Sequence, residues 1–134
     1  MSTFLRTIND AYGHQVGDDC LRKIANILQN CVKRAGDLAA RYGGEEFAIV
    51  LPNIDASEAV QVAEAIQAMV HDLQIPHQAS LTRSYVTLSL GIATLTPTLF
   101  AKDTQSPQHL IKLADKALYQ AKSQGRDRFI SLKN

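Results

Sequence analysis

Leu38-Ala39-Ala40-Arg41-Tyr42-Gly43-Gly44-Glu45-Glu46-Phe47-Ala48-Ile49-Val50-Leu51 is the stretch whose reading decides the fold. Two short apolar runs, 38–42 and 47–51, flank the tetrapeptide Gly43-Gly44-Glu45-Glu46. A glycine pair between strand-like runs predicts a β-hairpin, because glycine takes the positive φ of tight hairpin turns without steric cost. Pro52 closes the second run, having no N–H to give to a ladder. Strands joined this tightly are antiparallel, so the sheet they enter cannot be all-parallel.

On either side of the hairpin the hydrophobic period changes to that of a helix. Upstream, Cys20, Leu21, Ile24, Ala25, Leu28, Cys31 and Val32 form one stripe. Asp18 and Asp19 suit its first turn, Lys33 and Arg34 its far end, and Gly36 is expected to stop it. Downstream, Asp55 with Glu58 predicts a capped helix start, followed by Ala59, Val62, Ala63, Ile66, Met69, Val70 and Leu73 and ended by Ile75-Pro76. Residues 76–84 read as a loop. Tyr85 to Leu95 alternates and is rich in β-branched residues, a strand whose partly apolar second face predicts a central position. After a loop over 96–105, Ser106-Pro107 predicts an N-cap and first helical position, and Gly125 the end of that helix. Arg128 to Leu132 reads as a last strand. The expected class is α/β (α+β), a mixed central sheet flanked by helices. No strand is expected ahead of the first helix, so the sheet is expected to lack its first strand.

The chain has 134 residues, 14 Lys or Arg against 13 Asp or Glu, and 46% hydrophobic residues. That balance excludes a basic nucleic-acid arm or polybasic membrane patch, and the composition is that of one folded domain. No apolar run approaches the ~20 residues of a membrane span, and the start carries no signal-peptide pattern. Cys20 and Cys31 fall in one helix about 16 Å apart along its axis, too far for a disulfide, and are expected to be buried thiols of a reducing, cytoplasmic compartment.

The hairpin tip is the chemically sharpest feature. Glycines let a flat ligand approach without meeting a Cβ, and adjacent carboxylates Glu45 and Glu46 repel unless a cation lies between them. A hard, oxygen-ligated ion such as Mg2+ suits them and usually arrives with phosphates. The tetrapeptide alone also fits a solvated hairpin tip.

Further segments narrow the choice. Arg41-Tyr42-Gly43-Gly44-Glu45-Glu46-Phe47 resembles the signature of the GGDEF-domain family, the diguanylate cyclases, in its GGEEF form. Ile8-Asn9-Asp10-Ala11-Tyr12-Gly13-His14-Gln15-Val16-Gly17-Asp18 is similar to its INDxYGHxxGD segment, and Arg34-Ala35-Gly36-Asp37 to its RxxD element. Val86-Thr87-Leu88-Ser89-Leu90-Gly91-Ile92-Ala93 and Ala114-Asp115-Lys116-Ala117-Leu118-Tyr119-Gln120-Ala121-Lys122, with Gly125-Arg126, resemble its later strand and closing helix. The segments stand in family order along nearly the whole chain, residues 1–134 forming a single such domain.

The resemblance implies a palm-like nucleotidyl cyclase fold and the condensation of two GTP into cyclic di-GMP by a homodimer, using Mg2+ or Mn2+, without nucleic-acid or membrane contact by the domain itself. It implies that Glu45 and Glu46 hold metal or help deprotonate the 3′-hydroxyl. Gly43 and Gly44 would let the nucleotide lie on the hairpin. Asn9 and Asp18 would read guanine, Lys122 and Arg126 would bind terminal phosphates, and Phe4, Leu5 and Arg6 match a phosphate-cradling loop. His14 reads as a structural turn residue. Arg34 and Asp37 match the inhibitory site for cyclic di-GMP, although Ala65 and Gln67 stand where a further arginine is expected on the second helix. The family's DxDxFKxIND start is departed from: its metal aspartate falls on Met1, its second acidic position on Thr3 and its aromatic on Leu5, while Arg6 keeps the lysine's charge. The chain therefore reads as N-terminally truncated relative to the family. The alternatives are a catalytically impaired receptor module for cyclic di-GMP and a regulatory domain without turnover.

Overall fold

The computed structural model describes residues 2–10, 17–76, 85–97 and 106–134; the side chains of Ser2 and Asn9, and the expected loop residues 77–84 and 98–105, lie outside the described residues. Its first element corrects the sequence reading. Ser2–Asn9 forms strand β1, and it is the central strand of a five-stranded sheet. The helices are α1 (Asp18–Cys31), α2 (Ala56–Leu73) and α3 (Pro107–Ser123), and the other strands are β2 (Leu38–Gly43), β3 (Glu46–Pro52), β4 (Leu88–Leu95) and β5 (Phe129–Lys133). Strand order is β2-β3-β1-β4-β5, with β1 antiparallel to β3 and β4, and β5 parallel to β4.

The missed strand has a physical explanation. Both faces of β1 are covered, and three of its inward side chains are polar: Thr3, Arg6 and Thr7. Its pattern therefore lacks the clean apolar–polar alternation of a half-exposed strand. Leu5 enters the larger core, with Ile24 and Leu28 of α1, Ile66 and Val70 of α2, and Ile49, Leu90 and Ile92 of the sheet. Phe4 enters the smaller core on the opposite face, with Ala48, Ala93, Leu110 and Ala114. Thus α1 and α2 cover one face and α3 the other. Each fully buried Leu or Ile contributes about 1.5–3 kcal/mol relative to exposure. Thr3 is satisfied by Thr94, hydroxyl to hydroxyl at 2.9 Å.

The hairpin forms as expected, with Gly43 paired to Glu46 and Gly44 at φ 52° in the turn. Arg41 Nε donates to the Gly44 carbonyl at 2.7 Å and ties the turn down. The Asp55 side chain accepts from the Glu58 N–H at 2.8 Å, and Ser106 caps α3 with Pro107 in its first turn. Two boundaries move. α1 ends at Cys31, because Val32 is extended, and Gly36 instead serves a separate turn at φ 93°. β4 begins at Leu88, with Tyr85 in an isolated bridge to Pro76. Cys20 is buried, as expected, whereas Cys31 is only half-buried, and neither is in a disulfide.

Candidate functional site

One end of the sheet gathers the chemistry. Ile8 near the end of β1 pairs with Glu46 at the hairpin tip, Asn9 pairs with Leu88 at the start of β4, and Leu90 pairs with Phe129 at the start of β5. Arg6 lies on the α3 side of β1 with its side chain only 9% exposed. Its Nη2 donates to Glu46 Oε2 at 2.8 Å, its Nη1 to the Asp115 carboxylate of α3, and its guanidinium carbon sits 4.3 Å from the Tyr42 ring centroid. A buried guanidinium is tolerated only when carboxylates compensate its lost hydration, and here two do. Beside them the hairpin offers a glycine shelf. A Cβ added at Gly43 or Gly44 would meet nothing within 4 Å. Gly44 is required by its turn, whereas internal packing does not demand glycine at Gly43.

A cleft of about 330 Å3 opens between α1 and the hairpin. Leu21, Ala25, Leu28 and Phe47 provide apolar walls, and Asp18, Arg22 and Arg41 stand among the polar lining residues. Apolar walls with few polar groups are the usual make-up of small-ligand sites. Asp18, expected to read guanine, belongs to this cleft; the side chain of Asn9 and the whole of His14 lie outside the described residues.

Other expected site residues fall elsewhere. Phe4 and Leu5 are not in a loop: they lie within β1, paired to Val50 and Ile49 on one edge and Ala93 and Ile92 on the other, which corrects the phosphate-cradle reading. A backbone engaged in a two-sided ladder has its N–H groups committed to neighbouring strands. Lys122 lies in the last turn of α3. Arg126, at φ 64°, directs Nη1 towards Asp10 Oδ1 at 3.4 Å. Asp10, whose role sequence reasoning missed, is wholly buried and accepts from the Thr87 and Ser89 hydroxyls at 2.8 and 2.6 Å and the Asp127 N–H at 3.0 Å. Two hydroxyl residues in the otherwise apolar stretch 86–93 were its signal.

Arg34 and Asp37 do come together. Arg34 donates to Asp37 through Nε at 3.2 Å and Nη2 at 2.8 Å, and to the carbonyls of Pro52 at 2.6 Å and Asn53 at 3.4 Å. The Asp37 hydrogen bond raises the Arg34 pKa, outweighing desolvation. Arg34 thus clasps the end of β3 to the α1–β2 turn.

A hard divalent ion at the hairpin tip would need several oxygen donors around Glu46. Aligned position Thr3 pairs with Leu51, five residues along β1 from Ile8 and so about 17 Å from the partner of Glu46; Met1 lies outside the described residues. The β1 side chains nearest Glu46 are Arg6 and Ile8 rather than a carboxylate, and Glu46 is already paired with Arg6. Among the described residues there is no group of three or more His, Cys, Asp or Glu able to hold a metal. This donor set does not fit a metal held by Glu46.

Residues 3–128 match the family model described as diguanylate cyclase, GGDEF domain. Diguanylate cyclase A of Treponema denticola is 40% identical over 98% of this chain, which spans 33% of that protein. The response regulator PleD of Caulobacter vibrioides is 37% identical over 92% of this chain, which spans 26% of it. The chain thus spans about a third or less of these relatives' length. The solved coiled coil and GGDEF domain of DgcB from Caulobacter crescentus, in complex with c-di-GMP, superposes with a TM-score of 0.79 at 27% identity, covering 98% of this chain and 69% of that one. The active GGEEF domain of a diguanylate cyclase from Vibrio cholerae gives 0.75 at 25% identity, covering 99% and 83%. With its mixed five-stranded sheet, its glycine hairpin and a match over residues 3–128, the chain belongs to the GGDEF-domain diguanylate cyclase family.

Proposed function

We propose that this domain binds a guanine nucleotide in the cleft between α1 and the hairpin, as the GTP-holding half of a diguanylate cyclase pair. The observation that carries the reading is the cleft itself, with apolar walls for a flat base and Asp18 beside them. A carboxylate accepts from the adjacent N1–H and N2–H of guanine, a donor pair that adenine lacks. Arg22 and Arg41 supply positive charge to the phosphates, and the open shelf at Gly43 and Gly44 lets the sugar-phosphate approach. In the reaction of the class, two copies face each other, the 3′-hydroxyl of each GTP attacks the α-phosphate of the other, and two pyrophosphates leave with cyclic di-GMP formed. Family members depend on divalent metal for this step. Cyclic di-GMP bound at Arg34 would inhibit by drawing that guanidinium from the carbonyls of Pro52 and Asn53.

A second reading, binding of cyclic di-GMP without turnover, is favoured by the Arg6–Glu46 pair, which occupies a carboxylate the reaction would use. Calorimetric titration with GTP and ATP, followed by mass analysis for cyclic di-GMP, tests both. The expected result is GTP preference, with Asp18→Asn lowering GTP affinity about tenfold and leaving ATP unchanged. Equal affinity for the two nucleotides in the wild type would refute the site; absence of product together with binding of cyclic di-GMP in a parallel titration would select the second reading.

A further inference from the structure

We infer that Arg6 is the resident cation of the hairpin tip: its guanidinium neutralises Glu46 in place of a divalent ion and keeps such an ion out. The inference concerns the same end of the sheet as the proposed function and rests with its second reading, binding without turnover, but its test does not depend on nucleotide binding.

Three observations carry it. Arg6 is held from below by the strand ladder, since residue 6 pairs with Ala48 on one side and Gly91 on the other. Its guanidinium bridges two carboxylates from different elements, Glu46 of β3 and Asp115 of α3, with the Tyr42 ring against it. It is also buried, and its Nε finds no partner among the described residues, so the compensation for its burial comes from those two carboxylates and the ring. A mobile surface arginine would swing away when an ion arrived. This one cannot leave Glu46 without losing one of the two carboxylates that compensate its burial. A divalent ion approaching Glu46 would meet a fixed positive charge within ion-pair distance of the same carboxylate, and like charges so placed exclude one another. Removing the guanidinium reverses the situation, because Glu46 and Asp115 then face each other across the space it leaves and repel until a cation joins them.

The probe is Mn2+ alone, titrated by electron paramagnetic resonance and calorimetry in the absence of nucleotide. The wild type and Arg6→Lys, which keeps the charge, are expected to show no binding that depends on Glu46. Arg6→Gln is expected to gain an Mn2+ site at least about tenfold tighter than any in the wild type, and Arg6→Gln/Glu46→Gln to lose it. Failure of folded Arg6→Gln to gain affinity would overturn the inference. So would wild-type Mn2+ binding that Glu46→Gln abolishes, a comparison that stands even if Arg6→Gln does not fold. Loss of GTP binding by the wild type would instead count against the proposed function and leave this result readable.

Discussion

At the scale of single residues the least forgiving position is Gly91. A Cβ there would lie 2.3 Å from the Leu118 nitrogen and 2.4 Å from the Ala114 carbonyl oxygen, both backbone atoms of α3. Neither can turn aside as a side-chain tip can, so the helix must lift from the sheet. Gly91→Ala is expected to cost about 3 kcal/mol or more, read as a lower urea midpoint with an unchanged slope. Cys31 is a gentler case. Burial raises its thiol pKa, and nearby Lys33 offsets that only in part. A raised folded value means that its contribution to stability is complete below the unfolded thiol pKa and is lost as pH rises through the folded one. Cys31→Ser should therefore narrow the drop in Tm between neutral and alkaline pH, and alkylation of Cys31 should need more alkaline pH than a free thiol. An alkylation profile matching that of a free thiol would contradict this. Residues also mark the limit of sequence reading at the site. Glu46 and Asp18 could be picked out as candidates because their motifs are local. The pairing of Arg6 with Glu46 and Asp115 was not, since it joins residues 40 and 109 positions apart that meet only when β1, β3 and α3 assemble.

At the scale of elements, end signals decided what could be read. Asp55 and Ser106 announced α2 and α3 because a short polar side chain that accepts from the N–H three residues on is a purely local device. Asp55→Ala should lower stability by about 1 kcal/mol, with the loss confined to a changed midpoint in denaturant unfolding. An unchanged midpoint would mean the first turn of α2 is held by its packed face alone. α1 lacks such a device: Gly17 at its N-cap offers no side-chain acceptor, and its other end unwinds at Val32 before the cations Lys33 and Arg34. There the sequence pointed to Gly36 and the chain stopped earlier, because Arg34 and Asp37 close their own turn against the end of β3. β1 was hidden for the opposite reason. A strand covered on both faces needs no alternation, and its Thr3 and Arg6 find their partners far along the chain.

At the scale of the whole molecule, that hidden strand carries the architecture. β1 pairs through seven residues with β3 and through eight with β4, so it is the seam between the hairpin half of the sheet and the β4–β5 half. It is also the strand that enters both cores, through Leu5 on one face and Phe4 on the other. Removing residues 2–9 would expose two strand edges at once and leave a gap under α1, α2 and α3 together. Burial lost on that scale exceeds the few kcal/mol by which a domain of this size is stable. The shortened chain is therefore expected to show no cooperative transition by scanning calorimetry and to lose the Tyr near-UV circular dichroism of the intact one. A family domain that placed its first strand ahead of this segment would behave differently, because residues 2–9 would then lie outside its sheet and their loss would lower Tm by only a few degrees. A retained, slightly shifted transition would thus move β1 out of the centre and separate Arg6 from Glu46. Loss of the transition would identify Ser2–Asn9 as the strand that holds the two halves of the sheet together.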